Sequence, residues 1–195
     1  MKKIFLTAFI LLLIDQILKI WIKTHFILGQ EHQIYDWFII HFTENNGMAF
    51  GIEFGGYTGK KILTLFRIVV VSIGIKYLLD LEKKDFSNGP LIALGLIIGG
   101  AIGNIIDSSF YGLIFNESYN NVASIMPEGG GYSSFLHGKV VDMFYFPIIN
   151  DHFPNWLPIW GGEHFIFFRP VFNVADAGIS IGIFMILIFY RKYFN

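Results

Sequence analysis

Five polar side chains in an otherwise apolar chain have the types and spacing to do chemistry: Asn104, Asp107, Asp142, Asn173 and Asp176. Asn104 and Asp107 close the apolar run LIALGLIIGGAIGNIID, and Asn173 and Asp176 open the run FNVADAGISIGIFMILIFY. Each is an i,i+3 pair, so on a helix the amide and its carboxylate share a face. Carboxylates in such segments are costly in lipid and face a cavity or a partner. On the residues alone two readings stay open. In one, these groups order helix ends by hydrogen bonding, and Asp176 gains from the dipole at a helix N-terminus. In the other, two of the carboxylates form a pair that activates water. Close carboxylates cannot both ionise easily, so one keeps its proton. The ionised member takes a proton from water, the protonated one polarises a scissile carbonyl, and the amides hold the pair.

Other chemistries find less support. There is no cysteine, which excludes disulfides and thiol catalysis. No HExxH occurs and the six histidines make no i,i+4 pair, so no metal site is expected. His137, His152 and His164 read as loop or interface residues. There is no G-x-S-x-G, and Ser108 and Ser109 have no evident base in sequence. With no P-loop or dinucleotide fingerprint, no cofactor is expected. A net charge of -1 gives no footprint for nucleic acid.

The elements that must position the five groups are membrane spans. Of 195 residues, 54% are hydrophobic and 15% charged, where a soluble domain carries about 25% charged. Aromatic residues reach 18%, which suits lipid-facing surfaces and interfacial belts. A span needs about 20 mostly apolar residues. Four windows qualify: 4–22, 62–81, 90–106 with a continuation to about 110, and 171–190. The first has a basic start like a secretory leader. No small-residue cleavage site follows, and Asp15 and Lys19 interrupt the run, so it reads as a retained helix. Gly95, Gly99 and Gly103 repeat every four residues, as do Gly178 and Gly182, a spacing that lets helices approach closely in a membrane.

Four spans put both termini on one side. Lys2, Lys3, Lys83, Lys84, Arg191 and Lys192 flank that side, against Lys23, Lys60, Lys61, Lys139 and Arg169 on the other. The tight clusters favour cytoplasmic termini. The third span then ends outside with Asn104 and Asp107, the fourth begins outside with Asn173 and Asp176, and Asp142 lies in the outer loop between them. All five meet at one level near the outer surface. The outer segment 23–61 contains IYDWFIIHFTENNGMAFGIEF, whose aromatic and β-branched residues around a turn suggest short strands. The outer segment 112–170 is rich in Gly, Pro, Tyr and Trp and too aromatic for disorder. Trp156 and Trp160 in it suit a membrane surface.

Five blocks now align in order: DQILK (15–19), NNGMAFG (45–51), GGAIGNIID (99–107), GKVVDMF (138–144) and FNVADAGISIG (172–182). In this the chain resembles the lipoprotein signal peptidases, signal peptidase II. The resemblance covers all four spans and both outer segments. It implies a mainly α membrane protein in a single integral membrane domain, 1–195. That domain has four transmembrane helices, a small extracytoplasmic β-cradle at about 30–58 and an extended outer loop region at about 112–170. It implies an aspartic endopeptidase of the bacterial cytoplasmic membrane that cuts prolipoproteins before a diacylglyceryl-bearing cysteine. The catalytic pair so implied is Asp142 and Asp176. The same match assigns Asn45, Gly47, Asn104, Asp107, Asn173 and Ala175 to substrate contact or hydrogen-bond support, and Asp15 and Lys19 to structure. A turn asparagine remains an equal reading of Asn45. The expected partners are a diacylglyceryl prolipoprotein and membrane lipid, with no nucleic acid, and the chain is expected to be a monomer.

Two departures stand out. The family has arginine after the N-x-x-D aspartate, and here that residue is Ser108. The outer segment is lengthened by NESYNNVASIMPEGGGYSSF and NDHFPNWLPIWGGEHFIFFRP. Two rival functions are a small proton-coupled transporter, which would space its polar residues at several depths, and an inactive scaffold.

Overall fold

The computed structural model describes residues 1–47, 55–80 and 87–193. The end of the NNGMAFG block and of the strand-like stretch lies outside them. Four helices are long and apolar enough to cross a membrane: Lys2–His25, Gly56–Leu79, Asn88–Ile114 and Val174–Tyr193. They begin with α1 (Lys2–His25), α2 (Gly56–Asp80), α3 (Asn88–Ile106) and α5 (Val174–Met185). The third continues through a π-helical turn, Asp107–Tyr111, into a single turn α4 (Gly112–Ile114). The second starts earlier than the apolar window at 62, because Gly56–Lys61 add a polar first turn. The fourth starts later than 171, because Val171 and Phe172 are spent on a strand.

α3 packs against both α1 and α5, and the glycine ladder is why. A Cβ on Gly99 would meet the Ala8 carbonyl at 2.7 Å, and one on Gly182 the Ala93 carbonyl at 2.6 Å. Backbones approach where no side chain intervenes. The outward faces are large and apolar: Phe5, Leu6, Phe9, Leu13 and Ile17 of α1 are all exposed. In a soluble protein such a surface would aggregate, and in a bilayer lipid covers it.

At one end of the bundle lies a four-stranded antiparallel sheet, ordered β1 (Glu31–Tyr35), β2 (Phe38–Asn45), β3 (Val140–Tyr145), β6 (Val171–Phe172). The cradle is therefore not built by the first inter-helix segment alone. Half its strands come from the second. Side chains alternate across a strand, and β3 shows the result. Val141 and Met143 enter a core with Ile22, Phe42, Tyr111 and Phe115. Val140 and Asp142 face a cavity, as do Thr43 and Asn45 of β2. A register shift between Ile40 and Thr43 sets Thr43 opposite Asp142, a usual way for a bulge to re-aim a strand.

The lengthened loop is ordered. Its first insertion folds back over the α3 end, with Ser133 N–H donating to the Gly112 carbonyl at 2.8 Å and Gly138 N–H to Ser108 at 2.9 Å. The second forms a separate hairpin, β4 (Ile149–His152) with β5 (His164–Phe167). Trp156 and Trp160 sit exposed between its strands.

The close helix approach makes a direct prediction at Gly103. A Cβ there meets Asp15 Oδ2 at 2.7 Å and Ala175 Cβ at 3.3 Å. Gly103→Val should destabilise the bundle by about 1–3 kcal/mol, seen as a lower Tm in detergent. An unchanged Tm would contradict the packing described.

Candidate active site

Lys19 of α1 is the first group to place. It has no exposed surface, so its ammonium must find its partners inside. Its Nζ lies 2.9 Å from Asp15 Oδ2 and 2.7 Å from Asp107 Oδ2, and donates to Asn104 Oδ1 at 2.9 Å. Lys19 is one turn beyond Asp15 on the same helix, so those two share a face. The π-helical turn brings Asp107 to the same point from α3. Such turns insert a residue and re-phase a helix. Asp15 Oδ1 accepts from the Ala175 N–H at 2.8 Å, which fixes the start of α5. Gln16 adds a cross-link, donating to Asp107 Oδ1 at 2.9 Å and Asp15 Oδ2 at 3.1 Å.

From this knot the contacts run toward the cavity. Asn104, held by Lys19 at its oxygen, turns its Nδ2 to Asp176 Oδ1 at 2.8 Å. Asn173 caps α5: Asp176 N–H donates to its Oδ1 at 2.9 Å, and the Asp176 side chain accepts from the Asn173 N–H at 3.4 Å. This capping box satisfies donors that every helix start leaves open. The free amide of Asn173 donates to Asp142 Oδ1 at 2.6 Å and to the Val141 carbonyl at 3.2 Å. Asn45 of β2 donates to the other Asp142 oxygen. One asparagine thus binds Asp142 while its own backbone binds Asp176.

Asp142 and Asp176 line one cavity of about 550 Å³ with Asn45, Gly47, Asn104 and Arg67. Asp142 is only 4% exposed. Burial, then the negative charge of Asp176, push its carboxyl up to about 8, against the opposing pull of Lys19 and of its two amide donors. At neutral pH Asp142 therefore favours its protonated form. A carboxyl held as an acid can donate a hydrogen bond to a carbonyl oxygen.

The remaining candidates divide by position. Asn45, Gly47 and Asn104 reach the cavity; Asp107 and Ala175 stand behind it. Asp107 is fully buried on Lys19, and Ala175 is fully buried at the helix contact. Gly47 sits at φ +94°, where a side chain would be strained, and a Cβ would run into the Arg67 guanidinium. Among the described residues no group of three or more His, Cys, Asp or Glu has a metal-holding arrangement.

Sequence reasoning missed Arg67 and Gln16. Arg67 donates to the Gly47 carbonyl, lines the cavity and feels the charge of Asp176. Its signal was available, since a lone arginine well inside an apolar span needs a cavity or a partner. Ser108 is buried, with no partner for its hydroxyl among the described residues. The cations at the cavity are Arg67 and Arg169, from other elements.

The family model of signal peptidase II, Signal peptidase (SPase) II, matches residues 7–192. A lipoprotein signal peptidase of Porphyromonas gingivalis is 54% identical over 184 residues, covering 94% of this chain and 80% of the relative. One from Amoebophilus asiaticus is 38% identical over 186 residues, covering 93% and 74%. Two solved structures, described as bacterial membrane enzymes obtained by the in meso method at 2.3 Å and 1.9 Å, share the fold with a TM-score of 0.62 each. The first is 24% identical and covers 98% of this chain and 89% of its own; the second is 23% identical and covers 96% and 92%.

The knot at Lys19 makes its own prediction. Asp15→Ala removes one partner of a buried ammonium and the acceptor of the Ala175 N–H. Breaking a buried pair this way costs about 3–5 kcal/mol. Yield and Tm should both fall; a wild-type melting curve would contradict the structural role of Asp15.

Proposed function

Because the chain belongs to the signal peptidase II family and is a membrane peptidase, we propose that it removes signal peptides from diacylglyceryl prolipoproteins with Asp142 and Asp176 as its catalytic pair. The observation that carries this is the single cavity lined by both carboxylates, with Asn173 bound to each. Asp176 acts as the base on water. Asp142, holding its proton at neutral pH, donates to the scissile carbonyl oxygen as the tetrahedral intermediate forms. Asn104 and the Asn173 N–H keep Asp176 aimed, and Asn45 and Asn173 keep Asp142 aimed. No metal or organic cofactor takes part in this chemistry.

The substrate is amphipathic, and the cavity suits it. The sheet bounds the cavity through Thr43, Asn45, Val140 and Asp142, and the helices bound it through Asn104 and Asp176. Peptide lies along the sheet side, while diacylglyceryl chains run down the apolar helix faces in the bilayer. The scissile bond is then at the lipid–water boundary, before the lipidated cysteine. The family and the four span-length helices make it a bacterial inner-membrane protein, and the basic clusters favour cytoplasmic ends and an outward-facing site. The transporter reading loses force here. The cavity's polar groups gather at the sheet end, and the deeper Asp15 and Lys19 satisfy each other.

Asp142→Asn and Asp176→Asn should each lower cleavage by at least the 10²- to 10⁴-fold typical of general acid–base groups. Both should remain folded in the membrane. The assay is the gel shift of a diacylglyceryl prolipoprotein on processing; undiminished turnover by either variant removes that residue from the pair.

The same assay against pH has a defined sign. Catalysis needs Asp142 protonated, and its folded-state value is raised to about 8. Activity is therefore retained below that pH and falls as pH rises through it. A rate that climbs steadily from pH 7 to 9.5 would contradict the assignment of the acid to Asp142.

A further inference from the structure

We propose that a second cavity, at the sheet end of α2, binds a phosphate-type oxyanion of the kind carried by a membrane phospholipid headgroup. This cavity of about 250 Å³ is lined by Tyr57, Lys60, Tyr132, His137, Lys139 and neighbouring residues, and shares no lining residue with the cleft of the carboxylate pair. One water takes up ~30 Å³ of liquid, so the space exceeds a hydration site and admits a headgroup.

Two buried polar groups there lack partners. Lys60 is 8% exposed, and its Nζ has no hydrogen-bond partner among the described residues. His137 is 7% exposed, and its Nε2 has none either. The other ring nitrogen, Nδ1, sits 2.9 Å from both the Phe135 carbonyl and Ser134 Oγ. Nε2 is thus the ring nitrogen left to face a ligand in the cavity. The ring stacks on Tyr57 at 3.6 Å between centroids, and Tyr57 Oη is 2.5 Å from Ser134 Oγ.

The charge balance calls for an anion. The carboxylates at hand are already engaged. Glu44 pairs with Lys23 and lies 3.4 Å from Lys139, and Glu117 also lies 3.4 Å from Lys139. Three ammonium groups (Lys23, Lys60, Lys139) thus face two carboxylates (Glu44, Glu117), and the unmatched charge is that of Lys60. An uncompensated buried charge is unfavourable, and an oxyanion removes the mismatch. Tyr132 Oη accepts from the Lys139 N–H at 2.5 Å, which leaves its own proton to donate. Gly56 and Tyr57 begin α2, where N–H groups and the helix dipole favour negative charge. The span starts at Gly56, and Tyr57 is exposed. The cavity therefore sits at headgroup level, where basic pockets bind lipid phosphate.

Binding uses neither Asp142 nor Asp176, so it can be measured without turnover and stands apart from the peptidase reading. Wild type, Lys60→Met and His137→Ala are reconstituted in nanodiscs of phosphatidylcholine with phosphatidylglycerol, released, and weighed by native mass spectrometry. Wild type should retain one phospholipid, and Lys60→Met at least tenfold less. In lipid-depleted detergent, inorganic phosphate is titrated while Tm is read. A phosphate-dependent rise in wild type that is absent from Lys60→Met, without lipid retention, would identify free phosphate as the source of the same oxyanion. Without either ligand, Lys60→Met should melt no lower than wild type, since the unmatched charge is gone. His137→Ala reads the site through its neighbouring group and should also retain less lipid. Equal lipid retention by all three proteins, with no phosphate response, would overturn the proposal.

Discussion

The Lys19 ammonium, buried between Asp15 and Asp107, is the interaction on which the rest of the structure hangs. A charge cannot be left bare inside a bundle surrounded by lipid. Its three partners come from two helices, so satisfying it joins α1 to α3 at a fixed height. Asp15 then takes the Ala175 N–H and brings in the start of α5. Asn104, oriented by the same ammonium, hands its amide to Asp176. The charge that locks the bundle also aims the group proposed to activate water.

Asn173 does the comparable work at the other end of the chain of contacts. It caps α5, takes part in a reciprocal box with Asp176, and donates to Asp142 on β3. A helix start and a sheet strand are thereby set against each other through one side chain. The carboxylates gain opposite surroundings. Asp142 is buried in the sheet with two amides, and Asp176 is only partly buried, in the first turn of a helix. Pairs of acids whose environments differ in this way can divide the roles of acid and base.

Much of this was legible in the sequence, and the reasons are physical. Apolar runs of span length leave few structural options in a membrane, and the glycine spacing marked where helices touch. Topology alone brought Asn104, Asp142, Asn173 and Asp176 to one end. The capping and catalytic readings of Asp176 are compatible: hydrogen bonding at the helix start accompanies its place in the cavity. The sharing of the sheet between two distant segments was harder to read. Val140–Tyr145 has no clean alternation because both its faces are covered, and a two-residue β6 has no period at all. Arg67 is visible in sequence as a lone arginine inside an apolar span, but its partner, the Gly47 backbone carbonyl, is not. The order of the loop after Ile114 rests on backbone hydrogen bonds to Gly112 and Ser108, equally silent in sequence. That order is also what encloses Lys60 and His137.

If the pair works as proposed, Asp142 and Asp176 are electrostatically coupled, with the proton on Asp142 at neutral pH. Infrared difference spectroscopy of protein with isotope-labelled aspartate reads this without substrate. It should show a protonated carboxyl at pH 7 that is missing from Asp142→Asn. That carboxyl should titrate near pH 8 in wild type and at distinctly lower pH in Asp176→Asn, where the neighbouring negative charge is gone. A fully ionised Asp142 at pH 7, or a titration that Asp176→Asn leaves in place, would contradict the coupling and the proposed chemistry with it.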